Sequence, residues 1–141
     1  RSGSTDSLIR YNLGMSLGVG DTDLIILCHF DREFIEIIST VPFKVPEKNK
    51  REVSLYLHEV NLRMNIGHLD FDISNGVIYS RTCILLKDLA LSQEVFEKCI
   101  YLNLNVIEDF IPGVMKVIYA DLDSSSAIQN VLDDIKNNRN Q

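Results

Sequence analysis

An α+β fold is predicted, a twisted antiparallel sheet of about five strands with helices on one face, and three observations predict it. The first part of the chain holds three β-rich runs separated by short polar breaks. One amphipathic helical stretch then precedes a second pair of runs that meet at Asn75-Gly76. Beyond Ser92 the apolar residues recur at helical spacing. The element order is β-β-β-α-β-β-α-α.

Leu8 to Leu17 alternates loosely, with Leu8, Arg10 and Asn12 on one side and Ile9, Tyr11 and Leu13 on the other. It reads as a strand with a bulge or weakening at Gly14. Gly18-Val19-Gly20-Asp21 is a turn cluster. Leu24 to Phe30 is short and nearly all apolar, as in a strand covered on both faces or at least central in its sheet. Asp31-Arg32-Glu33 breaks the pattern, and Phe34 to Val41 is rich in β-branched residues, so these runs form a meander.

Pro42 to Lys50 is a loop holding two of the three prolines. Asn49 with Glu52 has the spacing of a capping box. Val53, Tyr56, Leu57, Val60 and Met64 then fall on one helical face, with Gly67 suited to the helix end. Leu69, Phe71 and Ile73 alternate with Asp70, Asp72 and Ser74, which predicts a strand with one wet face. If Asn75-Gly76 is a two-residue turn into the strand Val77 to Leu86, Ser74 pairs with Val77 and Asp70 lies opposite Arg81.

Ser92 caps the next helix, with Glu94 in its first turn. Its apolar pattern runs to Ala120, interrupted at Pro112-Gly113, where the proline frees the Glu108 carbonyl and bends the rod. Ser126 with Gln129 is a second capping-box candidate, opening a last helix to about Lys136. Residues 1–5 read as a linker remnant, residues 6–136 as one domain, and 137–141 as a frayed tail.

Length, charge and cysteines narrow the function classes. The 141 residues suit a single domain with a proper core. A net charge of −6, with no basic stripe, argues against nucleic acid and anionic membranes. No apolar run approaches a membrane span. Cys28, Cys83 and Cys99 are widely spaced in apolar stretches and read as reduced thiols of a cytoplasmic protein.

From residue 22 to 119 the chain resembles the YbjN-like family of bacterial sensory transduction regulators. The resemblance is carried by Leu57-His58-Glu59-Val60-Asn61, then Gly67-His68-Leu69-Asp70-Phe71-Asp72, then Gly76-Val77-Ile78-Tyr79-Ser80-Arg81. It implies a fold similar to type III secretion chaperones, protein binding, and no chemistry or cofactor. It also implies a structural role for Asn61, bonding a loop or helix end from a mostly buried position. Family members usually open with a helix, where this chain opens with a strand.

No catalytic constellation emerges, so a non-enzymatic domain is expected. His68, Asp70 and Asp72 share a strand face and would allow a weak metal site; the plainer reading is a solvent-facing row with Arg81 across from it. Cys28 and His29 are strand neighbours and point to opposite faces, so they cannot act as nucleophile and base. Gly14, Gly18 and Gly20 precede a strand, where a phosphate cradle needs a helix. Ser124, Ser125 and Ser126 read as a linker.

The helix from Ser92 to Ala120 is the most informative stretch. Its apolar arc spans roughly 200°, about twice the stripe that one packing surface requires. The sheet covers one side; the other needs the last helix, a second subunit or a client. Leu104, Ile107, Ile111, Met115 and Ile118 form the candidate interaction face, Asn103 is the polar intruder, and a homodimer is the expected assembly. The expectation is a protein-binding, regulatory domain with an unnamed protein partner; the alternative is an accessory structural module of a larger protein.

Overall fold

The computed structural model describes residues 8–86 and 91–140. The linker reading of residues 1–5, and Gln141 of the tail, lie outside them.

β1 (Leu8–Leu17), β2 (Gly20–His29) and β3 (Phe34–Thr40) form the meander. One 3₁₀ turn, Glu47–Asn49, leads into α1 (Lys50–Asn61). β4 (His68–Asp72) and β5 (Val77–Leu85) follow, then α2 (Gln93–Tyr119) and α3 (Ser124–Arg139). All pairings are antiparallel and the spatial order is β1-β2-β3-β5-β4, so the α+β class holds.

Residues opposite one another across the ladders share a face. Leu24, Ile26, Ile35, Ile37, Leu69, Ile78, Ser80 and Thr82 lie on the inner face and are buried. The helices pack there. α1 contributes Val53, Tyr56, Leu57 and Val60; α2 contributes Ile107, Ile111, Val114 and Val117; α3 contributes Ala127, Ile128 and Val131. A second cluster joins Leu24, Ile26, Ile35 and Ile37 to Leu104 under the N-terminal half of α2.

Asn103 ties the helix layer to the sheet. Its side-chain amide donates to the Ile37 carbonyl (3.1 Å), the Ser80 carbonyl (2.9 Å) and Thr82 Oγ1 (3.1 Å). It accepts from Ser39 Oγ, and its own carbonyl accepts from Ser80 Oγ (2.8 Å). The polar intruder of α2 is therefore the hub of a satisfied buried network that fixes where α2 crosses β3 and β5.

Several local expectations are corrected. The β4–β5 turn is not the two-residue Asn75-Gly76 type. Asp72 pairs with Val77, the loop is Ile73 to Gly76, and Arg81 lies opposite His68 while Asp70 lies opposite Tyr79. The Asp72 carboxylate decides this: it accepts from the Ser74 amide (3.0 Å) and hydroxyl (2.6 Å), folding the chain two residues earlier than Asn-Gly chemistry alone would. Gly76 then takes φ 77°, where a Cβ would sit 2.6 Å from the Val45 carbonyl oxygen.

The capping boxes are also replaced. Asn49 makes no capping bond, because the 3₁₀ turn already curls the chain into α1, and its Oδ1 is buried without a partner among the described residues. Glu52 instead accepts from the Ser124 amide (2.7 Å), joining the start of α1 to that of α3. The cap of α3 is Asp123, which accepts from the Ser126 amide (2.7 Å), so Ser126 lies inside the helix and Gln129 donates to Asp133.

Ser92 does cap α2, accepting from the Val95 amide (3.1 Å). α2 runs through Pro112 without a break, held by packing on both sides. α1 ends at Asn61, before Met64, and α3 continues to Arg139 through most of the expected tail.

Candidate functional site

The wide apolar arc of α2 is occupied within the chain. Of the candidate interaction face, Leu104, Ile107, Ile111 and Ile118 are buried and Met115 is partly so. Leu104 meets the sheet, while Ile107, Ile111 and Ile118 belong to the core shared with α1 and α3. That expectation is overturned. The arc is wide because α2 lies between the sheet and two other helices, so it buries two sides without any partner.

The outer sheet face carries no helix. Across it runs a chain of opposite charges on four strands. His68 Nε2 meets Asp70 Oδ1 (3.0 Å), Asp70 Oδ2 accepts from Arg81 Nε (2.8 Å), Arg81 Nη1 donates to Glu36 Oε2 (2.7 Å), and Glu36 Oε1 meets His29 Nε2 (2.8 Å). The Asp70–Arg81 pair expected from the sequence is therefore formed, but diagonally. Burial pushes the Glu36 carboxyl up, and the bonds from Arg81 and His29 outweigh it, leaving the group below the usual glutamate range. His29 also stacks on Phe34 with ring centroids 4.2 Å apart.

These bonds account for the proposed chemistry. Asp70 is committed to Arg81 and Asp72 to the Ser74 turn, which holds its carboxyl below the ordinary aspartate range. Among the described residues no group of three His, Cys, Asp or Glu side chains is placed to hold a metal, so the row His68, Asp70 and Asp72 is not a ligand set. Cys28 packs with the inner core and His29 bonds Glu36 on the outer face, as strand alternation requires. The Gly18 amide donates to Glu108 Oε1 (2.8 Å), so a carboxylate of α2 sits where a phosphate cradle would need open amides. Among the described residues no helix is long and apolar enough to cross a membrane.

The two sheet edges differ. At β4 the Asn61 side chain donates to the Leu69 carbonyl (2.9 Å) and accepts from the Leu69 amide (2.8 Å). One amide thus occupies both main-chain groups of Leu69. Asn61 is part-buried and bonds a strand, where the resemblance implies a loop or helix end. β4 is also short, and its outward row is polar, which is how edge strands avoid pairing.

β1 shares the polar outward row, through Arg10, Asn12 and Ser16, but is neither short nor capped by a side chain among the described residues. It is ten residues long, contains no proline, and among the described residues pairs only with β2. Ile9, Tyr11 and Leu13 point to the helix side, yet are 41%, 54% and 48% exposed, because α2 lies over β3 and β5 and leaves this margin uncovered. Tyr101 of α2 flanks the same margin, lining a hollow with Leu17, Leu104, Asn105 and Glu108. The sequence periodicity found the strand but not its bareness, which depends on where α2 crosses.

No protein-family model matches the chain. No curated protein matches it either. The surface itself therefore carries the functional argument.

Proposed function

We propose that the chain is a non-enzymatic protein-binding domain of regulatory type, in the manner of the YbjN-like and secretion-chaperone-like proteins that residues 22–119 resemble, and that it works in the cytoplasm as a homodimer or on a protein client. The observation that carries the reading is the bare apolar margin of β1: three large side chains, Ile9, Tyr11 and Leu13, held in a row on a strand whose other edge is unpaired among the described residues. Such an edge offers main-chain bonds and alternate side-chain pockets together, which is the chemistry of strand addition. The linked groups His68, Asp70, Arg81, Glu36 and His29 of the outer face support the same reading, because their bonding is spent on one another across the sheet.

The test is a photo-crosslinking residue placed at position 11, or at position 38 on the outer face as a second site, in cells that produce the protein. A covalent adduct to a protein at position 11, whether a second copy or another chain, is the expected result. No adduct at either position, together with a mass near 16.1 kDa at every concentration, would sink the reading.

A further inference from the structure

We infer that two copies of this chain pair through β1, antiparallel about a two-fold axis at Asn12, so that two five-stranded sheets become one. This rests on the protein-binding reading and names its partner.

The first support is charge. The chain carries a net −6, and two such copies repel in general. β1 contains no carboxylate and one charge, Arg10. Its own side chains therefore add no carboxylate repulsion between two acidic copies, and its outer edge, unpaired among the described residues, supplies the ladder.

The second is self-complementarity. A two-fold contact sets the same strand against itself. With Asn12 opposite the second copy's Asn12, Tyr11 faces Leu13 and Ile9 faces Met15 on the helix side, so the three exposed apolar residues of that side gain apolar partners, while Leu8 on the outer face meets Ser16. On the outer face Arg10 arrives opposite Gly14. A one-residue slip would put the apolar row of one copy on the wrong face of the other.

The third is the space at Gly14. A Cβ there would meet nothing within 4 Å, and above it lies an open hollow of about 340 Å³ lined by Arg10, Asn12, Gly14, Asp23 and Ile25. Gly14 pairs with Asp23 in β2. The second copy's Arg10, crossing a residue with no side chain, therefore has an open path to the Asp23 carboxylate, which has no ion pair among the described residues. Among the described residues Arg10 donates to Asn12 Oδ1 alone (3.0 Å), an exposed bond that uses one of the five guanidinium N–H donors. The two-fold axis makes the Arg10–Asp23 contact twice.

The experiment is a charge swap read by sedimentation or light scattering. Arg10→Glu sets a carboxylate against Asp23 at both symmetric positions, and Asp23→Lys sets an ammonium against Arg10 at both. Each variant alone is expected to raise the dimer dissociation constant about tenfold or more. A one-to-one mixture of the two restores dimers, because the mixed pair has opposite charges at both positions. Gly14→Val is the control for folding: its Cβ meets no described atom within 4 Å and valine suits a strand, so stability measured at concentrations where the protein is monomeric holds or rises while dimerisation weakens.

A dimer indifferent to all three substitutions overturns pairing through β1 but leaves the protein-binding reading intact. A mixture no tighter than its components overturns the Asn12 register. A wild-type monomer at every concentration also overturns the inference, and the crosslinks at positions 11 and 38 then decide the broader reading separately.

Discussion

Tyr56 of α1 and Gly113 of α2 share one space: a Cβ at position 113 would lie 2.0 Å from the Tyr56 hydroxyl oxygen. The hydroxyl donates to the Phe110 carbonyl (2.6 Å), one turn before the glycine, and burial pushes its pKa upward. The glycine after the proline is thus the gap through which α1 bonds the backbone of α2.

Gly113→Ala is accordingly expected to destabilise the fold. Alanine gains up to about 1 kcal/mol in helix propensity, but overpacking against a fully buried ring costs about 1–3 kcal/mol. Urea unfolding should show a net loss, smaller when Tyr56→Leu is combined with it. An unchanged or raised midpoint in the single variant would mean that the two helices separate at no cost.

Asn103→Leu is expected to be among the most damaging single changes. It leaves the Ser39 and Thr82 hydroxyls and the Ile37 and Ser80 carbonyls without the buried side-chain amide, at a cost of about 1–3 kcal/mol for a group left unsatisfied. Leucine has as many side-chain heavy atoms as asparagine, so the loss is not that of an opened cavity. Thermal unfolding checks it; a shift of only a degree or two would refute the hub.

How much of this was legible depended on which force decided each element. Alternation in Leu69-Asp70-Phe71-Asp72 and the helical faces of Val53, Tyr56 and Leu57 come from burial, and the elements appeared where those patterns placed them. Local competitions were less readable. Asp72 and Asn75-Gly76 both offer a turn, and the aspartate won by bonding Ser74. Asp123 captured the amide of Ser126, the residue that looked like the cap. The arc of α2 announced two buried sides but not what buries them. Asn103 stood out as the wrong residue for its face, and that anomaly marked the position holding the layers together.

The ion chain predicts an acid response. Because Glu36 titrates below its usual range when folded, its contribution is fully present above the unfolded glutamate pKa and is lost as pH falls through the lowered folded value. Its partner Arg81 is 35% exposed at the side chain, so screening limits the contribution to about 0.5–1 kcal/mol. Glu36→Gln should flatten that part of the stability profile and leave the rest. An identical profile in wild type and variant would show the chain of charges to be energetically idle.

Asn61→Ala removes both bonds to Leu69, and a loss of about 1–3 kcal/mol is expected. Hydrogen exchange should quicken selectively at the Leu69 amide. Protection equal to wild type there would show that the strand does not need the amide.

That same asparagine bears on solubility. A sheet open at both edges can add copies from either side without end, the geometry of a fibre. With the Leu69 groups occupied at one margin, growth is possible in one direction only, and a single pairing at the far margin exhausts it. Releasing Asn61 would give each molecule two adhesive ends, turning a contact that closes on itself into one that propagates.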